Sequence, residues 1–256
     1  MLANWAVESL KWKIGAAVIQ KINYANAVSS VMAGLAVSMA APNRTGEFLG
    51  RITALDKPNR IKGSFVSVHI SLAQTVVTII AGLLALMIIS PPLLPASFNN
   101  AVFNALLPCI MLFSLLLYYR FADFYRIFKT KPFNKWIRDA ILEEIMISRK
   151  TLTINLILSI LRYAVFITQF VIVFRIFGIS LSSSDLYLAS AVIYLLMAVV
   201  PSLAIAELGI RGAVAVYIMD LFDVAATPVI AATSLLWLIN IAVPAAVGAV
   251  VLALKK

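Results

Sequence analysis

Glu47 and Arg51 stand four residues apart in AAPNRTGEFLGR (40–51), and Glu207 and Arg211 repeat that spacing in VPSLAIAELGIRGAV (200–214). Pro42, Gly46 and Gly50 punctuate the first stretch, where Arg44 adds another cation; Pro201, Gly209 and Gly212 punctuate the second. At that spacing on a helix a carboxylate and a guanidinium are neighbours and can pair. A guanidinium also presents a planar fork of donors that matches phosphate oxygens. Arg162 lies inside the apolar run 152–177, on one stripe with Asn155, Ser159 and Gln169. A charge at a helix centre costs about 2.5–3.5 kcal/mol even on the insertion scale, so it must face protein, water or an anion. Two readings stand side by side: a structural pair, with Glu207 or another acid, and a grip on a substrate phosphate.

Other reactive residue types are sparse. His69 is the one histidine, and a packed, hydrogen-bonded role is expected for it rather than proton relay. Cys109 is alone in an apolar run, so no intrachain disulfide and no zinc motif are expected. No nucleophile–base pair or metal-ligand cluster stands out, so neither catalysis nor a cofactor is expected. Ser64, Ser67, Ser71, Gln74, Thr78 and Gly82 share one helical face, which reads first as a helix-packing stripe and second as a substrate path.

The elements that must position these groups follow from composition. The 256 residues are 62% hydrophobic and 12% charged, with a mean hydropathy of +1.00. Soluble domains carry about 45–50% apolar and about 25% charged residues, so the chain reads as a polytopic helical membrane protein. A spanning helix needs about 20 mainly apolar residues; segments 65–89, 101–119, 152–177 and 228–254 supply them. Segment 186–200 is somewhat short, 212–222 is too short to span alone, and 24–41 is apolar but rich in Ala, Ser and Gly. Pro91-Pro92 with Pro95 mark one loop, and Gly178 with Ser182-Ser183-Ser184 another.

The net charge of +10 is gathered in alternate connections, so it signals topology rather than nucleic acid. Segments 42–63 and 120–150 and the terminal Lys255-Lys256 are basic, whereas 90–100 is uncharged and 178–185 and 220–227 carry only aspartates. The positive-inside rule places the basic segments in the cytoplasm. Lys11, Lys13 and Lys21 put 1–23 on the same side, so either 24–41 is re-entrant or these lysines lie outside. Re-entry is favoured, because a small-residue segment ending in proline suits a broken helix packed within protein. Residues 133–147 form an amphipathic helix that lies either in the cytoplasmic interface or on the ends of the bundle. The expected fold is all-α. One transmembrane domain covers 1–256 and holds two broken or re-entrant segments related as a candidate inverted pseudo-repeat, with the binding site where they meet.

NWAVESLKWK (4–13), APNRTGEFLGRITAL (41–55) and VPSLAIAELGIRGAV (200–214) resemble the lysylphosphatidylglycerol synthase/flippase transmembrane family. This family includes the flippase half of the bacterial multiple peptide resistance factor. The second glycine block departs from the family pattern at Ala204-Ile205-Ala206. The resemblance implies an inner-membrane protein that binds, and moves, an anionic lipid of the aminoacyl-phospholipid or polyprenyl-phosphate class. Arg44, Glu47, Arg51, Arg162, Glu207 and Arg211 would line its cavity. The family's soluble aminoacyl-transferase domain is not expected in a chain ending at Lys256, and further membrane helices are expected before residue 4. The rival expectations are a secondary transporter of a small anion and a non-transporting partner of a lipid-modifying or glycosyltransferase enzyme. Membrane lipids are the expected partners, nucleic acid is not, and the oligomeric state stays open.

Overall fold

The computed structural model describes residues 1–39, 46–93, 101–129, 147–200 and 206–254, and among them there is no strand. The helices are α1 (Leu2–Ala16), α2 (Tyr24–Ser38), α3 (Gly46–Arg51), α4 (Arg60–Leu93), α5 (Ala101–Lys129) and α6 (Arg149–Ile176). They continue as α7 (Ser183–Val199), α8 (Ala206–Asp220), α9 (Ala226–Trp237) and α10 (Val243–Leu254). Side-chain oxygens fix several starts. Asn23 accepts from Asn26 N at 2.7 Å ahead of α2, Ser148 from Thr151 N at 3.1 Å ahead of α6, and Ser182 from Asp185 N at 3.1 Å ahead of α7. Each cap satisfies an N–H that the first turn leaves without a partner.

Three helical stretches, Lys57–Ile89, Arg149–Ile176 and Ala226–Leu254, are long and apolar enough to cross a membrane, as expected of 65–89, 152–177 and 228–254. The last of these is α9 and α10 joined by a π-helical turn, Leu238–Ala242. Large apolar side chains face outward, among them Phe113, Ile157, Ile172, Val247 and Val250. Asn4, Glu8, Lys11, Arg51, Asn155 and Ser159 are buried. Polar groups inside and apolar ones outside suit lipid rather than water as solvent; the protein is an all-α, multi-pass membrane protein.

Packing falls into two main clusters. Phe170, Phe174, Leu186, Ile193, Met219 and Leu236 centre one among α4 and α6–α9; Trp12, Val31, Met32, Leu55 and Ile70 centre the other around α1, α2 and α4. Glycines bring backbones together in the second. A Cβ on Gly50 would collide with the Gly34 backbone, one on Gly46 would reach Ser38 N at 3.0 Å, and one on Gly248 would strike Met32 O. So α3 runs back antiparallel along α2, and α10 covers another side of α2. At about 1.5 Å per residue the 15 residues of α2 rise only about 22 Å, short of the ~30 Å hydrocarbon core.

Three expectations need correction. Pro91 and Pro92 do not begin a loop, because α4 runs to Leu93; proline's fixed φ is itself helical, and the lost hydrogen bonds and the crowding of the carbonyls one turn back fall on the end of the helix only. The basic segment from 120 opens as helix, with α5 continuing to Lys129. Lys11, counted as a loop charge, is fully buried in α1 and paired with Glu8 at 3.3 Å, so it does not report topology. The amphipathic stretch 133–147 falls outside the described residues apart from Ile147.

Candidate functional site

Glu47 and Arg51 share one face of α3 and form an ion pair, as their spacing predicts. Arg51 is 1% exposed, and its Nη2 also donates to Glu8 Oε1 at 2.6 Å. Glu8 is the hub. Its Oε2 meets Lys11 Nζ at 3.3 Å and Arg162 Nη1 at 3.2 Å, so one carboxylate on α1 faces three cations from α1, α3 and α6.

Arg162 therefore pairs with Glu8, and no contact with Glu207 is found among the described residues. Its Nε donates to Asn4 Oδ1 at 2.6 Å and its Nη1 to Gln74 Oε1 at 3.3 Å, while its guanidinium lies 5.1 Å from the Phe166 ring centroid. These partners make a mid-helix charge tolerable and hold it in one direction. The polar stripes of α4 and α6 thus meet on α1. Elsewhere the α4 stripe packs: a Cβ on Gly82 would reach Ala191 O at 3.1 Å on α7.

Glu207 and Arg211 form a second buried ion pair on α8. Both pairs serve a single cavity of about 170 Å³, lined by Glu8, Glu47, Gln74, Arg162, Tyr194 and Arg211 among others. That volume is well above the ~10–15 Å³ that one water needs. Among the described residues, these walls and their ion-pair partners hold four cations (Lys11, Arg51, Arg162, Arg211) against three carboxylates (Glu8, Glu47, Glu207). Arg51 Nε and Nη1 and Arg211 Nε have no hydrogen-bond partner among the described residues. A low-dielectric cavity with a surplus positive charge and uncommitted guanidinium protons favours an anion.

Of the expected site residues, Glu47, Arg162 and Arg211 reach the cavity, while Arg51 and Glu207 stand behind it as their partners. Arg44, Pro42 and Pro201 lie outside the described residues. Gly46 and Gly50 pack on α2, Gly212 lies 4.0 Å from Thr233 Oγ1, and Gly209 is exposed with nothing near. Glu8, Lys11 and Asn4 were not anticipated as site residues. Their spacing in the sequence, four and then three, places them on one helical face and was the signal available. His69 is hydrogen-bonded to Tyr118 O at 2.9 Å and packs beside the Tyr118 ring, as expected of a structural histidine.

A family model described as "Lysylphosphatidylglycerol synthase TM region" matches residues 1–248. No curated protein and no solved structure matches the chain.

Proposed function

Since the chain belongs to the lysylphosphatidylglycerol synthase TM family, we propose that its cavity takes up the phosphate headgroup of an anionic membrane lipid and lets it cross the bilayer. The observation that carries this reading is the cavity whose described walls and their ion-pair partners hold one cation more than they hold carboxylates. Arg162 on α6 and Arg211 on α8 replace headgroup hydration. Glu8, Glu47 and Glu207 keep the guanidinium groups aligned when no headgroup is present. The acyl chains stay in lipid. An apolar groove on the outer side of α6, lined by Ala164, Val165 and Ile172, gives them a surface beside the cavity residues Tyr163 and Phe166.

In this reading the protein is a lipid binder and translocator of the bacterial inner membrane rather than an enzyme. The whole chain acts as one transmembrane domain. α2 and α3 form a re-entrant hairpin, α8 belongs to its counterpart in the second half of the chain, and the basic segments face the cytoplasm.

The test is reconstitution in liposomes that contain headgroup-labelled phosphatidylglycerol, with loss of protection from an impermeant quencher as readout. The wild type accelerates exchange over empty liposomes, and Arg162→Gln removes most of that gain while still melting cooperatively in detergent. Exchange no faster than in empty liposomes, or an Arg162→Gln variant as fast as wild type, refutes the reading. Uptake of inorganic phosphate without lipid exchange assigns the cavity to a small anion instead.

A further inference from the structure

Each charged residue of the cavity has an ion-pair partner, and the neutral wall beside them keeps polar atoms of its own uncommitted. The Tyr163 hydroxyl and Asn240 Oδ1 are buried without a hydrogen-bond partner among the described residues, the Tyr194 hydroxyl is buried beside Arg211 with its own proton uncommitted, and all three residues line the cavity. Native folds seldom leave such atoms unsatisfied unless a ligand or water completes them. Their positions are fixed from behind. Tyr194 is wedged among Phe170, Phe166 and Tyr163, with ring centroids at 4.8, 5.8 and 6.1 Å. The Asn240 amide is anchored by Nδ2 donating to Leu236 O at 3.0 Å, which leaves Oδ1 as the uncommitted end. Arg211 has donors only, so it can engage the Tyr194 oxygen but not its proton, and this neutral wall adjoins the guanidinium groups.

Two phenols and an amide oxygen offer both donors and acceptors, and a hydroxyl is the ligand group that answers both. An ammonium group only donates, so it leaves the two phenolic protons without an acceptor. The carboxylates that reach the cavity, Glu8 and Glu47, are each engaged by an arginine already. An amine-bearing headgroup would have to share one of those carboxylates with the arginines already on it, against their like charge. We infer that the Tyr163, Tyr194 and Asn240 wall reads headgroup hydroxyls, so that the cavity selects an anionic lipid whose phosphate carries a polyol or sugar rather than an amine. This inference rests on the anionic-lipid reading above and narrows it to a substrate class.

The experiment uses the full chain in detergent and three probes of equal acyl length: short-chain phosphatidylglycerol, phosphatidic acid and phosphatidylethanolamine. Binding is measured by native mass spectrometry for wild type, Tyr163→Phe and Tyr194→Phe, variants that keep ring and volume. Wild type binds phosphatidylglycerol tightest. Each substitution weakens phosphatidylglycerol by roughly two- to tenfold, the effect of one hydrogen bond, and leaves phosphatidic acid unchanged. Equal binding of the first two probes by wild type means that water alone completes the wall and overturns the inference. Equal loss for both probes in the variants, or tightest binding of phosphatidylethanolamine, also overturns it. If phosphatidic acid binds without discrimination the anionic reading survives and this one falls; if no anionic lipid binds, both fall.

Discussion

Replacing Glu8 by Gln keeps the shape of the hub and removes its charge. Three cations then lose a carboxylate at once: Arg51 at 2.6 Å, Arg162 at 3.2 Å and Lys11 at 3.3 Å. The loss is unequal. Arg51 keeps Glu47, and Arg162 keeps Asn4, Gln74 and the Phe166 ring. Lys11, wholly buried, is left with no ion-pair partner among the described residues. Breaking a buried pair by removing one member costs about 3–5 kcal/mol. At roughly 2–4 °C per kcal/mol for a chain of this size, Tm falls by roughly 6–20 °C. The assay is thermal unfolding in detergent, followed by tryptophan emission because Trp12 lies on the same helix. The second arm is Glu8→Gln with Lys11→Met, which restores the original excess of one cation in the cluster of Lys11, Arg51, Arg162, Glu8 and Glu47. If uncompensated Lys11 dominates the loss, the double variant recovers at least half of it, a coupling of the size that contacting residues show. A single variant that melts within about 2 °C of wild type, or a double variant that melts below the single one, refutes the argument that Glu8 is the electrostatic hub.

Further outcomes follow from other contacts. Gly34→Ala puts a Cβ 2.7 Å from Glu47 O and 3.4 Å from Arg51 Cγ; overpacking of this kind costs about 1–3 kcal/mol, and lipid exchange slows because α3 is pushed off α2. Gly209→Ala meets nothing within 4 Å on an exposed helical face, so stability holds or rises, by up to about 1 kcal/mol of helix propensity read by thermal melting; slowed exchange in that stable variant reveals a hinge. Arg211→Lys keeps the charge but loses the fork, and exchange falls roughly tenfold or more, the value of a charge-assisted hydrogen bond. Tyr118→Phe removes the bond to Leu152 O and costs about 1 kcal/mol by thermal melting. It leaves exchange unchanged, since Tyr118 does not line the cavity.

The long spans were readable in the sequence because lipid as solvent demands sustained apolar runs, and 65–89, 152–177 and 228–254 are such runs. The Glu–Arg pairs on α3 and α8 were readable because their geometry is local, fixed by helical spacing alone. The partners of Arg162 were not. Asn4 lies 158 positions away, and nothing local distinguishes Glu8 from Glu207 as the acid that meets it. Lys11 misled for a related reason: a lysine near a chain start looks like a solvated topological marker until its neighbour is known to be buried with it. Tyr163 and Tyr194 sit in apolar runs where a phenol reads as a core ring, and only the shape of the cavity separates its ring from its hydroxyl.

The π-helical turn at Leu238–Ala242 has a consequence for how this chain tolerates insertion and deletion. Buried positions step by three and four through Val229, Ala232, Thr233 and Leu236, then jump five to Ile241, and resume through Ala245 and Gly248. An α-helix would turn position 240, not 241, toward the seam that Leu236 belongs to. The wide turn absorbs one extra residue and so shifts the phase of everything after it, rotating the α10 seam by about 100° relative to an uninterrupted helix. Deleting a single residue there would remove the extra residue, regularise the helix and keep Ala245 and Gly248 on the Leu236 seam. Inserting a single residue after the turn and before Gly248 would instead carry Gly248 about 100° away from Met32, so the α2 contact tolerates a one-codon loss at this turn and not a one-codon gain in α10.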